Sequence, residues 1–187
     1  EMDELVHWAD VIDAARFPDP ETAVRRELPA LELMMVVESA DDRAAASLIE
    51  RLAGGTTLGE LAADPDVRAQ LAPLKERHER ALEALRQGAW EDRGILRFEL
   101  PVELGGRYPK LAPYGLFPRL PYCVGVVPSA TRVGITVGAN PWSSEPREHH
   151  IASLCERYGG GGHPFVGGIS RLQTIVEAES EEVYQSL

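Results

Sequence analysis

Gly159-Gly160-Gly161-Gly162-His163-Pro164-Phe165-Val166-Gly167-Gly168 is the stretch on which the reading of this chain turns: six of its ten positions lack a side chain and one carries an imidazole. Glycine costs conformational entropy on folding, so a run of it marks backbone that takes φ > 0 or comes close to another group. Successive N–H groups of such a loop can converge into a nest for an anion, with His163 as a donor at the rim. A flexible linker is the plain alternative, but Tyr158 anchors one side of the run and Phe165-Val166 the other. A Walker A loop needs Gly-Lys-Ser/Thr after its glycines, and a Rossmann fingerprint needs a strand before them. His163-Pro164 excludes the first and the helical pattern before Gly159 excludes the second.

Outward from the loop, charge is distributed unevenly. Residues 1–92 hold 21 acidic and 10 basic side chains, which accounts for the whole net charge of −11, whereas residues 93–187 hold 9 of each. Four of those acids, Glu177, Glu179, Glu181 and Glu182, lie in the tail, so residues 93–176 carry 5 acids against 9 bases. The glycines thus sit in the positive part of the chain, where an anion is steered. At 187 residues, 44% hydrophobic and 26% charged, the chain is a globular protein of one large or two small domains. No stretch approaches the ~18 apolar residues of a membrane span, and Glu1-Met2-Asp3-Glu4 is acidic where a signal peptide is basic. A cytoplasmic chain with no membrane partner is expected. Cys123 and Cys155 have no CxxC spacing and read as core thiols.

Residues 1–88 read as all-helical. Leu5, Trp8, Ile12 and Ala15 form the first stripe, and Asp19-Pro20 caps a second helix running to about Arg26. Pro29 restarts the pattern, with Leu33 to Val37 apolar nearly all round and its methionines read as core filler. Residues 41–53 form a helix closed by Gly54-Gly55, Thr57 with Glu60 is a capping box, and Asp64-Pro65 caps the next helix. That helix carries Val67, Leu71, Leu74, Ala81 and Leu85 on one stripe with His78, read as a packed histidine, and Pro73 should kink or divide it. Strands are expected over 94–100, 122–127 and 132–137, the last two as a hairpin across Pro128 to Thr131. Five prolines punctuate 101–121. Pro146 opens a helix through Ile151, Leu154, Cys155 and Tyr158; Val166–Leu172 is a last strand and 175–187 an acidic terminal helix. The fold class is α+β (α/β): a helical connector at 1–91, then a small mixed-sheet domain at 92–187 with helices packed on it.

Gly159-Gly160-Gly161-Gly162-His163 followed by Gly167-Gly168 resembles the GGGH…GG signature of the DHH-associated C-terminal domain of DHH-superfamily phosphoesterases, which include RecJ-like exonucleases and oligoribonucleases. The resemblance covers about residues 92–187 and implies that this domain binds the nucleic-acid or nucleotide part of a substrate, with Gly159, Gly160, Gly161, Gly162, His163, Gly167 and Gly168 at its phosphates. Asn140-Pro141-Trp142 stands where oligoribonucleases carry a Ser/Arg-containing segment, which makes Asn140 a further candidate contact. Arg132, Arg147, Arg157 and Arg171 are candidate secondary phosphate anchors, and Tyr108, Tyr114, Phe117 and Trp142 candidate base-stacking residues.

Catalysis in the family uses paired divalent metals, usually manganese, held by Asp and His motifs of a preceding domain that include Asp-His-His. The resemblance therefore implies manganese in a full-length enzyme, none bound to this chain alone, no catalytic residue within it, and a DHH domain missing upstream. Glu148-His149-His150 is a superficial echo: neighbours on a helix diverge by ~100° and do not chelate one ion. Ala9-Asp10-Val11-Ile12 resembles the family's Ala-Asp-Val-Val stretch, which makes Asp10 a candidate metal ligand, with a helix-surface aspartate as the alternative. A start at Glu1 rather than Met reads as that of a fragment. Two other readings stay open: a non-catalytic nucleic-acid-binding module, and a phosphoesterase acting on polyphosphate or another non-nucleic substrate. A homodimer also stays open.

Overall fold

The computed structural model describes residues 2–104, 108–146, 148–172 and 182–186. The chain divides into two compact units, Glu1–His78 and Glu79–Leu187. The division falls inside a helix rather than at the expected 91/92 step.

The first unit is helical: α1 (Met2–Asp13), α2 (Pro20–Arg25), α3 (Pro29–Val37), α4 (Asp42–Ala53), α5 (Leu58–Ala63) and the start of α6 (Pro65–Gly88). Its helices begin where polar side chains take up the orphan N–H groups of the first turn. The Asp19 carboxylate accepts from Thr22 N at 2.7 Å, and Asp41 accepts from Ala44 N at 2.8 Å. Thr57 and Glu60 form a reciprocal capping box. Backbone and side-chain bonds of this kind hold the Asp19 and Glu60 carboxyls below the ordinary carboxylate range. Leu33, Met35, Val36, Leu48, Leu61 and Leu71 build the core, with Leu5 and Trp8 packed against it. His78 is buried, its Nε2 2.7 Å from the Val24 carbonyl oxygen, so it is a packed histidine as expected. α6 runs undivided through Pro73. α1 stops at Asp13, and Ala15 lies beyond it at φ 51° and exposed instead of extending the stripe.

The second unit is built on a six-stranded mixed sheet: β1 (Trp90–Asp92), β2 (Ile95–Glu99), β3 (Tyr122–Pro128), β4 (Arg132–Ala139), β5 (Gly161–His163) and β6 (Val166–Leu172), in the order β1-β2-β3-β4-β6-β5. Among the described residues only the β2–β3 pair is parallel. The unpredicted β1 reaches β2 through Arg93-Gly94, both at positive φ, as a two-residue hairpin of the primed type demands. β3 and β4 form the expected hairpin.

Register sorts the side chains onto two faces. Ile95, Val124, Ile135, Val137 and Ile169 share one, packed with Ile151, Leu154 and Cys155 of helix α7 (Ile151–Arg157) and with Val183 and Tyr184 of a terminal helical turn over 182–185. The rest of the expected terminal helix, 175–181 and 187, lies outside the described residues. On the other face the connection from β2 to β3 covers β2, β3 and the Gly138 end of β4. A Cβ on Gly125 would overlap the Phe98 ring, and one on Gly138 the Tyr114 hydroxyl. Among the described residues, the remainder of that face, over β4, β6 and β5, is bare.

Candidate functional site

The bare part of the sheet is the floor of an open groove of about 590 Å³. Its positions follow from register. Gly161 pairs with Gly168, and Gly168 with Thr136; His163 pairs with Val166, and Val166 with Gly138; Gly134 pairs with Ser170. These alternate residues point one way while Gly167 and Ile169 point into the core, and the exposure follows: Val166, Gly168 and Ser170 are exposed, Gly167 and Ile169 buried. Tyr108 forms a wall. Its hydroxyl donates to Thr136 Oγ1 at 3.0 Å, its ring meets Phe98 edge-on at 5.5 Å, and burial pushes its phenol well above the ordinary range, so it remains a donor.

The basic side chains on this groove are Lys110, Arg132 and His163, and among the described residues no carboxylate lines it. Arg132 donates from Nε to Ser170 Oγ at 2.9 Å. Among the described residues none of the three basic side chains meets an acidic one, in a chain where acids outnumber Lys and Arg by 30 to 19. Unneutralised Lys110 and Arg132 facing an open concavity attract an anionic ligand.

The glycine run is not a loop. Gly161–His163 is a strand of a hairpin closed by Pro164-Phe165, and Gly159 and Gly160 end α7. Gly160 N donates to Cys155 O at 2.9 Å and Gly159 N to Glu156 O at 3.0 Å, a Schellman cap with Gly159 at φ 71°. Those two N–H groups are turned inward to the helix, and the expected nest does not form from them. A side chain at Gly160 would overlap the Gly168 carbonyl, one at Gly162 the Val166 carbonyl, and one at Gly167 would come within 2.6 Å of Cys155 Sγ. Three of the run's glycines thus exist for close packing of the hairpin. Gly161 and Gly168 face the groove.

Asn140 is buried and consumed. Its Nδ2 donates to Pro118 O and Leu120 O, each at 3.1 Å, and its Oδ1 accepts from Trp142 N at 3.0 Å, so it fastens the end of the β2–β3 connection and does not line the groove. Arg171 donates to the Tyr158 carbonyl at the end of α7. Arg157 is exposed, and Arg147 lies outside the described residues. The helix expected from Pro146 begins only at Ile151, with His150 as its cap; Glu148 and His149 precede it, their N–H groups donating to Tyr122 Oη. Of the aromatic candidates, Tyr108 lines the groove and Tyr114 is buried.

Asp10 is exposed and pairs with Arg16 at 2.5 Å. Among the described residues no group of three His, Cys, Asp or Glu side chains could hold a metal ion. The described residues therefore do not fit a dinuclear metal centre. Lys110, Ser129, Thr136 and Ser170 complete the groove and were missed from sequence. The hairpin that carries Ser129 and the alternation of β4 and β6 were signals for three of them, while nothing local places Lys110 there.

No family model matches the chain, and no curated protein matches it significantly. Among solved structures, a pGpG-specific phosphodiesterase, PggH from Vibrio cholerae, superposes with a TM-score of 0.75 at 16% identity, covering 97% of this chain and 65% of its own. A structure described as the DHH domain of a member of the s1p family of ribosomal proteins gives a TM-score of 0.42 at 14% identity, covering 93% and 52%, too distant to carry an argument. The chain shares the α+β fold of that first structure and spans 65% of its length. Among the described residues, no helix is long and apolar enough to cross a membrane.

Proposed function

We propose that this chain is the connector and C-terminal substrate-binding portion of a metal-dependent phosphodiesterase of the DHH type, and that the bare half of its sheet holds the phosphate groups of a nucleotide or nucleic-acid substrate. The observation that carries this reading is the groove lined by Lys110, Arg132 and His163 with no carboxylate among its described residues, in an otherwise acidic chain. His163 supplies a ring N–H donor on the edge strand, and Lys110 and Arg132 supply charge. Gly161 and Gly168 let a ligand approach the β5–β6 backbone without a side chain between. The phosphodiesterase of like fold is named for pGpG, which makes a 5′-phosphorylated dinucleotide the first ligand to try.

In a complete enzyme of this type a divalent metal, manganese by resemblance, would supply an activated water. On this reading its ligands would belong to another domain, with residues 1–91 as the connector. What this chain contributes is position: a phosphodiester held against a fixed sheet reacts with little remaining orientational cost. Titration of the 187-residue chain with pGpG tests the reading. Binding should weaken as salt rises, His163→Ala should weaken it about tenfold or more, as for loss of a hydrogen bond to a charged group, and added manganese should bring no hydrolysis. Equal binding by His163→Ala and wild type overturns the assignment of the groove, and hydrolysis by this chain overturns the assignment of catalysis to another domain.

A further inference from the structure

The three basic side chains of the groove do not sit at one point. His163 stands level with Gly138 of β4, through Val166, and Arg132 begins the same strand. Six residues of extended chain separate those two levels, about 20 Å at 3.4 Å per residue. Between them lies Thr136, bonded to Tyr108, and Lys110 follows Tyr108 by two residues. The groove therefore offers an imidazole at one end, a guanidinium at the other and an ammonium along one side, with a bare floor between.

The Arg132 end is also built. Ser129 Oγ donates to the Arg132 carbonyl at 2.8 Å and accepts from Arg132 N at 3.2 Å, which fixes the backbone of the turn. Ser170 Oγ, on the neighbouring strand, accepts from Nε at 2.9 Å and holds the guanidinium across β6. A guanidinium bonded through Nε to a neutral hydroxyl keeps its full charge and its Nη donors for an anion.

We propose that Arg132, positioned by Ser170, is a second anion subsite at the end of the groove opposite His163, and that it selects ligands by length. A mononucleotide or inorganic phosphate carries its charge at one point and engages one end. A chain of two or more nucleotides repeats its phosphates along its length and can engage both, which by linkage raises its affinity over the shorter ligand. This rests on the phosphate-binding reading of the groove and goes beyond it in naming the feature that sets ligand size.

Calorimetric titration of the full chain with inorganic phosphate, a nucleoside 5′-monophosphate, pGpG and a 5′-phosphorylated tetranucleotide tests it. Wild type should prefer the longer ligands. Arg132→Ala should lower affinity for pGpG or the tetranucleotide about tenfold and leave the mononucleotide within about twofold. Ser170→Ala should shift the same ratio in the same direction by less, because the guanidinium remains but is no longer held. His163→Ala should weaken every ligand. If Arg132→Ala weakens short and long ligands equally, or neither, length selection is wrong. If wild type binds none of the four, or His163→Ala also changes nothing, the phosphate-binding reading of the groove has failed instead.

Discussion

One face of the sheet uses glycine in two ways. Where the β2–β3 connection covers it, Gly125 and Gly138 make room for the protein's own aromatic groups, the Phe98 ring and the Tyr114 hydroxyl. Over β6 and β5 the same absence of a side chain is left unfilled: a Cβ on Gly161 meets nothing within 4 Å among the described residues, and one on Gly168 only the Ile135 carbonyl oxygen at 3.6 Å. A strand glycine weakens pairing by roughly 0.5–1 kcal/mol relative to alanine. In the covered half aromatic packing offsets that cost, and in the bare half nothing among the described residues does. The difference separates glycines that serve architecture from glycines that leave a surface accessible.

The largest expected effect comes from emptying the covered half. Phe98→Ala removes a ring that is 2% exposed, and should cost about 3–5 kcal/mol in chemical denaturation; a loss below about 1 kcal/mol would mean that the ring does not fill the Gly125 shelf. Gly138→Ala should cost about 1–3 kcal/mol by displacing Tyr114 from above the strand. On the bare half Gly161→Ala and Gly168→Ala should leave stability unchanged or raise it by up to about 1 kcal/mol. Destabilisation there as large as at Gly138 would erase the distinction between the two halves.

The thiol under the cover gives a finer probe. Tyr114 Oη lies 3.1 Å from Cys123 Sγ, and burial pushes that thiol up to about 11. Its folded pKa is raised, so its contribution to stability is complete below the ordinary thiol range and is lost as pH rises through about 11. At pH 8 alkylation of native Cys123 should be about a hundredfold slower than that of an exposed thiol. Tyr114→Ala should accelerate it, and unchanged labelling would show that the connection does not seal this half. A control lies in the first helical unit, where Thr57→Ala should cost about 1 kcal/mol through loss of one cap and leave the labelling of Cys123 alone.

Much of the fold was legible because its determinants are local. The Asp19, Asp41 and Thr57–Glu60 caps, the stripe from Val67 to Leu85 and the β3–β4 hairpin each involve residues within a few positions of one another. The misreadings share a cause. The helix expected from Pro146 begins at Ile151 because the N–H groups of Glu148 and His149 are taken by Tyr122, more than twenty residues away. Asn140 is withdrawn from the candidate site by carbonyls at 118 and 120, and β1, only three residues long, carries too little alternation to stand out. Lys110 reached the groove on a connection whose course no local pattern describes.

By itself the sequence determined where the capped helices of the first unit start, which of their stripes are buried, and that a positive, glycine-rich segment bearing His163 follows a helix, since capping, periodicity and charge are set over a few residues. Tertiary structure alone decided that Gly161–His163 is an edge strand, that Gly160, Gly162 and Gly167 are spent on close packing while Gly161 and Gly168 stay open, and that Lys110, Arg132 and His163 share one groove. The physical reason is register: which face a glycine or a cation takes depends on the strand it pairs with, and that strand lies elsewhere in the chain.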